Sequence, residues 1–458
     1  MTSVPHSALP GIAWPAIVPD RNAGLLALVQ QLEETQWWPQ AALEEQQFRQ
    51  LGLIAAHAWR SVPFYRARLA AAGYREGQAL TREIWRRVPI LTRREVGANF
   101  DALSSGEAID AHGPRALEVS SGSTGTPVKV AMTALDRLFW QAFTVREELW
   151  QRRDLSLKLA VLRAGLREIA PTSAGALLDN WGAPMATLYP TGKMAVLDLA
   201  ITTTAEQAAW LARENPAYLL TVPSALRALA RHFGAHGPAL PALRGLRTVG
   251  EAVDAELRRE CRDTWGVAIA DLYSASEVGY IALQCPLYEH YHVQSESALV
   301  EIVDDAGDPC PTGVPGRVVV TPLHNFAMPL LRYAIGDIAE PGAPCACGRS
   351  LPVLTRILGR ARAMLVLASG ARRYPTGWFR NFSRVDGLVQ FQLVQRSLDA
   401  LELRLVTRPP FGAGDEDRLR HMLHQALGAS YAVTFTHLDD IPRAPSGKFF
   451  EFLCEIGD

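Results

Sequence analysis

Apolar residues recur at helical spacing over residues 24–35 and 41–60 ("AALEEQQFRQLGLIAAHAWR"), so the first hundred or so residues read as mainly helical. A further amphipathic helix, "LDRLFWQAFTVREELWQ", follows at 135–151. Beyond it, short apolar runs alternate with helical patterns. "LKLAVLR" (157–163), "AYLLTV" (217–222), "LRTVG" (246–250) and "VAIADLY" (267–273) predict buried strands, with "SALRALARHF" and "DAELRRECRDTWG" as helices between them. The second of these helices starts on Asp254, a good N-cap, and stops at Gly266. Such alternation predicts an α/β fold with mostly parallel sheets flanked by helices. From about residue 295 the pattern turns to strands and turns, including a hairpin-type turn at Asp304–Asp308. From Arg360 on, strand patterns and one helix (415–427) predict a small α+β domain. The expected divisions are a helical part at 1–100, the rest of a large domain at 101–360, and a small C-terminal domain at 361–458.

Composition narrows the function. The chain has 458 residues, is 48% hydrophobic, and carries a formal net charge of -1. That balance argues against binding nucleic acid by phosphate neutralisation, yet leaves small anionic ligands open. No stretch has the pattern of a signal peptide, and no apolar run approaches the ~18–20 residues of a membrane span. Six cysteines in so long a chain do not form a secreted disulfide framework. A cytoplasmic protein with no membrane partner is expected.

Four segments carry candidate chemistry. "SSGSTGTP" (120–127) is small and hydroxyl-rich, and is bounded by β-type segments. Backbone N–H groups opened by Gly122 and Gly125, with the hydroxyls of Ser121, Ser123 and Thr124, suit a phosphate. The spacing is not that of a Walker A loop. In "DLYSASEVG" a strand ends at Tyr273 and Glu277 follows; at the carboxyl end of a strand, an aromatic can stack on a base and a carboxylate can hold Mg²⁺. Asp337, after a Gly in "RYAIGD", can accept two hydroxyl hydrogen bonds. Lys448 lies beyond a Pro- and Gly-rich bend in "IPRAPSGKFFEF" and can be delivered to a phosphate.

Taken in order, these segments resemble the adenylate-forming (acyl-CoA synthetase) superfamily, and within it the phenylacetate–CoA ligase-like branch. "VGEAV" (249–253), "CACGRSLPVLTRILGR" and "PRAPSGK" extend the resemblance over most of the chain. The resemblance implies an AMP-forming ligase. It would join a carboxylic acid, aromatic or compact, to ATP as an acyl-adenylate and pass the acyl group to coenzyme A. Ser121, Gly122, Ser123, Thr124, Gly125 and Thr126 would cradle the β- and γ-phosphates. Tyr273 would stack on adenine with Gly250 and Glu251 along its edge, and Asp337 would hold the ribose with Arg360 close by. Glu277 would bind Mg²⁺, and Lys448 would bridge the carboxylate and the α-phosphate. The small domain would rotate between half-reactions about a hinge near Gly359–Arg362.

Three departures stand out. Thr126 replaces a cation in the phosphate loop. Arg362 and Ala363 replace acidic residues at the hinge. Residues 162–175 lack the aromatic-rich loop of the closest relatives. The hinge change keeps one alternative open, an adenylating ligase that delivers the acyl group to a carrier-protein thiol or an amine. A non-catalytic nucleotide-binding protein is a more remote alternative, against which Lys448 and Glu277 argue. For the acyl pocket the expected lining is 179–192 and the 220s, with Trp181, Tyr189 and Pro223 as candidates. A homodimer through the helical N-terminal part is compatible with the branch.

Cys345 and Cys347, two apart, can join Cys285 and either His290 or His292 in a tetrahedral Cys₃His site. The resemblance favours His292 and a structural zinc. Cys261, Cys310 and Cys454 read as ordinary free thiols.

Overall fold

The computed structural model describes residues 5–8, 16, 18–107, 109–119, 128–237, 239–360, 365–368, 372–373, 382, 385–441, 449 and 451–456. Residues 120–127, the hinge residues 361–364 and Lys448 lie outside them. The chain divides into two compact units, Met1–Ile357 and Leu358–Asp458.

The first unit opens with helices, as the apolar spacing predicts. Gln40–Ser61 buries Leu43, Leu51, Ile54, Ala55 and Ala58 along one stripe. Arg93–Ala98 is set by a capping box: Thr92 Oγ1 accepts from Glu95 N–H, and the Glu95 carboxylate accepts from Thr92 N–H. Strands β1 (Ala116–Val119) and β2 (Lys129–Met132) form an antiparallel pair on either side of residues 120–127. The helix Ala134–Trp150 follows.

The remaining strands of this part are β3 (Leu159–Arg163), β4 (Ala176–Leu178), β5 (Met194–Asp198), β6 (Tyr218–Thr221), β7 (Gly245–Val249), β8 (Ile269–Ala275), β9 (Gly279–Gln284), β10 (Tyr291–Val293), β11 (Ala298–Val303), β12 (Gly316–Pro322), β13 (Tyr333–Pro341) and β14 (Val353–Arg360). They hydrogen-bond in the order β11-β12-β13-β14-β10-β9-β8-β7-β6-β3-β5-β4. Five neighbours, β5, β3, β6, β7 and β8, run parallel. Helices Thr204–Glu214, Pro223–His236 and Ala255–Trp265 connect them, as parallel pairing requires. Leu162, Leu197, Leu219, Leu246 and Ile269 of these strands lie in one buried cluster with Leu211, Leu226 and Leu257 of the helices. The sheet is therefore mixed, with a parallel centre and antiparallel additions. All four apolar runs read as strands are strands. Ala255–Trp265 is capped by the Asp254 carboxylate, which accepts from Leu257 N–H, and ends at Gly266 with φ +68°.

In the second unit, β17 (Leu388–Gln395), β18 (Ala400–Thr407), β19 (Ala432–His437) and β20 (Phe452–Cys454) form a sheet in the order β19-β18-β17-β20. The short strands β15 (Leu365–Val366) and β16 (Arg372–Arg373) pair separately. Helix Ala413–Leu427 brings Leu419, Leu423 and Leu427 into a core with Leu393, Leu403 and Phe452. Among the described residues, no helix is long and apolar enough to cross a membrane.

Candidate active site and metal centre

The parallel strands end on one side with the residues the motifs single out. After β7 the chain turns at Gly250, whose φ of +86° is one that glycine adopts without strain. The next residue, Glu251, is held by the first turn of Pro223–His236. Its carboxylate accepts from Ser224 N–H at 2.8 Å and from Ser224 Oγ–H at 3.0 Å. A carboxylate there complements the positive helix end. The Glu251 side chain thus locks the turn after β7 to the start of the preceding helix, a contact the sequence does not reveal.

On β8, the buried Tyr273 hydroxyl donates to Asp337 Oδ2 at 2.6 Å. Asp337 comes from β13, directly after Gly336 with φ +87°. Two residues 64 apart in sequence, expected on the base and the ribose of one nucleotide, are thus joined directly. Glu277 follows β8 in the tight turn to β9 and is almost fully buried. Its Oε1 accepts from Arg93 Nη1 at 3.0 Å and from the Tyr333 hydroxyl at 3.3 Å. The burial of this carboxylate is offset by that guanidinium. A single carboxylate fits Mg²⁺, which takes one or two protein ligands and completes its shell with water and substrate phosphates. Arg360 lies at the end of β14.

Beside Glu277 opens a shallow recess of about 50 Å³, lined by Phe139, Trp140 and Phe143 of helix Ala134–Trp150 and by Tyr280, Pro322 and His324. Trp181, Tyr189 and Pro223, the acyl-pocket candidates, do not border this recess. Trp181 and Tyr189 are buried in a core cluster with Leu155, Leu159 and Tyr218. The Trp181 indole donates to Leu157 O at 2.9 Å, and its ring meets Tyr218 edge-on. Pro223 is the first residue of its helix, where a proline's missing N–H costs nothing. A second, larger recess, about 360 Å³, is lined by Glu107, His112, Arg115 and Phe326; Tyr273, Glu277 and Asp337 do not border it.

The cysteines come together as their spacing suggests. Cys285 follows β9, His292 lies on β10, and Cys345 and Cys347 sit in the loop between β13 and β14. The ligand atoms of these four all lie within 4.8 Å of one another. Cys285 Sγ and Cys345 Sγ are 3.9 Å apart, and Cys347 Sγ and His292 Nε2 are 3.4 Å apart. A zinc tetrahedron with Zn–S near 2.3 Å and Zn–N near 2.0–2.1 Å has edges of about 3.8 and 3.6 Å, so the donor set fits. Burial pushes the His292 pKa down to about 4, which keeps the imidazole neutral. His290 Nε2 lies 2.9 Å from Cys345 Sγ, beside the set. Around it, Arg349 donates to Cys347 Sγ and lies over both Trp37 and Trp150, and Trp150 meets His292 edge-on.

Arg93, Phe139 and His324 are the site residues that motif reading passes over. Arg93 sits in an ordinary helix start. The aromatic density of "LFWQAF" is visible in sequence, but an amphipathic helix accounts for it equally well.

Tyr273 and Glu277 of one motif and Asp337 of another are thus gathered around β8 and β13, in the order along the chain that adenylate-forming enzymes have. The chain belongs to the AMP-binding enzyme family, whose model matches residues 91–327, just over half of its length. The model of the CapK C-terminal domain matches residues 377–452. The chain is similar to the phenylacetate-coenzyme A ligase of Thermus thermophilus, 26% identical over 449 residues that span 91% of this chain and 97% of that one. It is also similar to that of Escherichia coli, 24% identical over 442 residues, 91% and 94% of the two chains. These similarities put it in the phenylacetate–CoA ligase-like branch. Its fold is that of 2-hydroxyisobutyryl-CoA ligase in the postadenylation state with 2-HIB-AMP, at a TM-score of 0.72, 19% identity, and coverage of 92% and 91%.

Proposed function

We propose that the chain is an AMP-forming ligase that activates a carboxylic acid with ATP and passes the acyl group to coenzyme A. The observation that carries this reading is the pair that Tyr273, near the end of parallel strand β8, makes with Asp337 of β13, with Glu277 in the turn after β8.

In the first half-reaction a carboxylate oxygen bonds to the α-phosphorus of ATP and the bond to pyrophosphate breaks. In the second, the coenzyme A sulfur bonds to the acyl carbon, AMP leaves, and the thiol proton is lost. A carboxylate does not expel hydroxide, whereas AMP is a good leaving group. Negative charge gathers at the α-phosphate, so fixed donors and cations supply most of the catalysis. In this reading Ser121–Thr126 wrap the outer phosphates, Tyr273 and Gly250 flank the base, and Asp337 holds the ribose with Arg360 near it. Glu277 would hold Mg²⁺, which would supply charge neutralisation at the phosphates. Lys448, on the small domain, reaches the α-phosphate for the first step and withdraws for the second. Glu251 contributes by fixing the turn at Gly250. Zinc at Cys285, His292, Cys345 and Cys347 is structural, because four protein ligands leave no open position.

Pyrophosphate release from ATP over a panel of aryl, arylacetic and short aliphatic acids, with and without coenzyme A, tests the reading. One acid should give pyrophosphate, and coenzyme A should then speed AMP release. Pyrophosphate release indifferent to coenzyme A would instead favour a carrier-protein thiol or an amine as acceptor, the outcome that Arg362 and Ala363 at the hinge keep in view.

A further inference from the structure

The segment after Cys285 carries two histidines, and the four-ligand set takes one of them. His292 stands with Cys285, Cys345 and Cys347. His290 lies outside that set, yet its Nε2 is 2.9 Å from Cys345 Sγ. A bare nitrogen and a bare sulfur do not approach so closely, so a hydrogen lies between them. A cysteine that holds zinc does so as a thiolate and has no proton to give. The hydrogen is then on Nε2, and the imidazole donates.

Three contacts fix the ring in that pose. The His290 carbonyl accepts from Cys285 N–H at 2.8 Å, which ties its backbone to a ligand. The Tyr288 ring stacks on the imidazole, with centroids 5.3 Å apart and planes 13° from parallel. His292 meets it edge-on at 5.5 Å. The donor also stands where the centre needs one. Zinc with three thiolates and a neutral imidazole carries one negative charge, which the guanidinium of Arg349, donating to Cys347 Sγ, balances. Cys345 is half-buried and takes a backbone N–H, that of Cys347 at 3.3 Å. The side-chain donor that Arg349 gives Cys347, His290 gives Cys345.

We propose that His290 is a positioning residue of the metal centre. By donating Nε2–H to the Cys345 thiolate it draws off part of the sulfur's charge and holds the sulfur in place for the metal. This inference rests on the zinc reading above and goes beyond its four ligands.

The test is zinc competition against a chelator, and cobalt(II) as a spectroscopic stand-in, both on the full chain. His290→Phe keeps a ring for Tyr288 and removes the donor. Its zinc affinity should fall by about 10- to 100-fold, the range for partners of metal ligands. Its thiolate-to-cobalt charge-transfer band should move to lower energy, because a thiolate without its donor gives up electrons more readily. The visible d–d bands should keep the wild-type pattern, since the ligands are the same. His290→Gln, which restores an N–H, should recover part of both losses. Where the phenylalanine variant fails to fold, His290→Met, matched to glutamine in length and without a donor, takes its place. Unchanged affinity with an unmoved charge-transfer band overturns the inference and leaves the zinc reading standing. So does an equal loss in the glutamine variant. Altered d–d bands would make His290 a ligand and overturn it as well. A wild-type chain that takes up neither zinc nor cobalt overturns the zinc reading, and the inference falls with it.

Discussion

Tyr273 and Asp337 form a bond that is complete without any nucleotide. The Asp337 carboxylate is largely buried, and the Tyr273 phenol gives it a strong donor. Tyr273→Phe keeps the ring and removes that donor. AMP binding measured by titration calorimetry should weaken by about tenfold, since a hydrogen bond to a charged group contributes about 1.5–3 kcal/mol; unchanged affinity would separate the pair from the nucleotide site. Deeper in the same strand, Asp271 accepts from the hydroxyls of Thr248 and Tyr291, with Arg258 against Tyr291. Burial is the main cause that raises its pKa to about 6. The unfolded chain holds an aspartate near 3.9, so the fold favours the protonated form. The stability this group contributes is full below about pH 4 and is lost as pH rises through about 6. Denaturant melts across that window should show a fall of about 2–3 kcal/mol in wild type that Asp271→Asn removes. A slope shared by both proteins would assign the effect elsewhere.

At the scale of elements, the metal centre joins the β9–β10 turn to the loop before β14, segments about 55–60 residues apart in sequence. Cys347→Ser should lower the zinc content of purified protein from one ion per chain toward none. It should also lower the Tm by several degrees, because metal affinity held by the folded site is folding free energy. Metal analysis beside a melting curve reads both, and full zinc in the variant would exclude Cys347 as a ligand. The cysteine spacing made this centre legible, as Asp254 and Gly266 made the helix between them legible, because each signal is local. The recess beside Glu277 was not. Trp181, Tyr189 and the Phe143 of "LFWQAF" share one buried cluster, and only the fold shows that Phe143 also borders a recess. The bond of Glu251 to Ser224 was not legible either, since that partner lies 27 residues earlier on another element. The parallel centre of the sheet was legible from apolar runs between helices. The antiparallel additions were harder to pair, since short alternating strands do not announce their neighbours.

For the molecule as a whole, two compact units meet in sequence near residue 358, where the reading from motifs put a hinge. If Lys448 serves only the first half-reaction, Lys448→Ala should abolish pyrophosphate release while thiolysis of a supplied acyl-adenylate stays within a few fold. Equal loss of both would refute the division of labour. That test reaches a residue outside the described part of the chain, where sequence order alone supplies the assignment.

Trp150 stands edge-on to His292 with ring centroids 5.8 Å apart, and the Arg349 guanidinium lies over both Trp150 and Trp37 while bonding to Cys347. The Cys₃His cluster thus carries its own optical label. Indole emission responds to nearby charge, and zinc leaving the thiolates would change the charge beside Arg349. Titrating a chelator while following intrinsic fluorescence would let the occupancy of the centre be read in a cuvette, with no dye and no change to the chain.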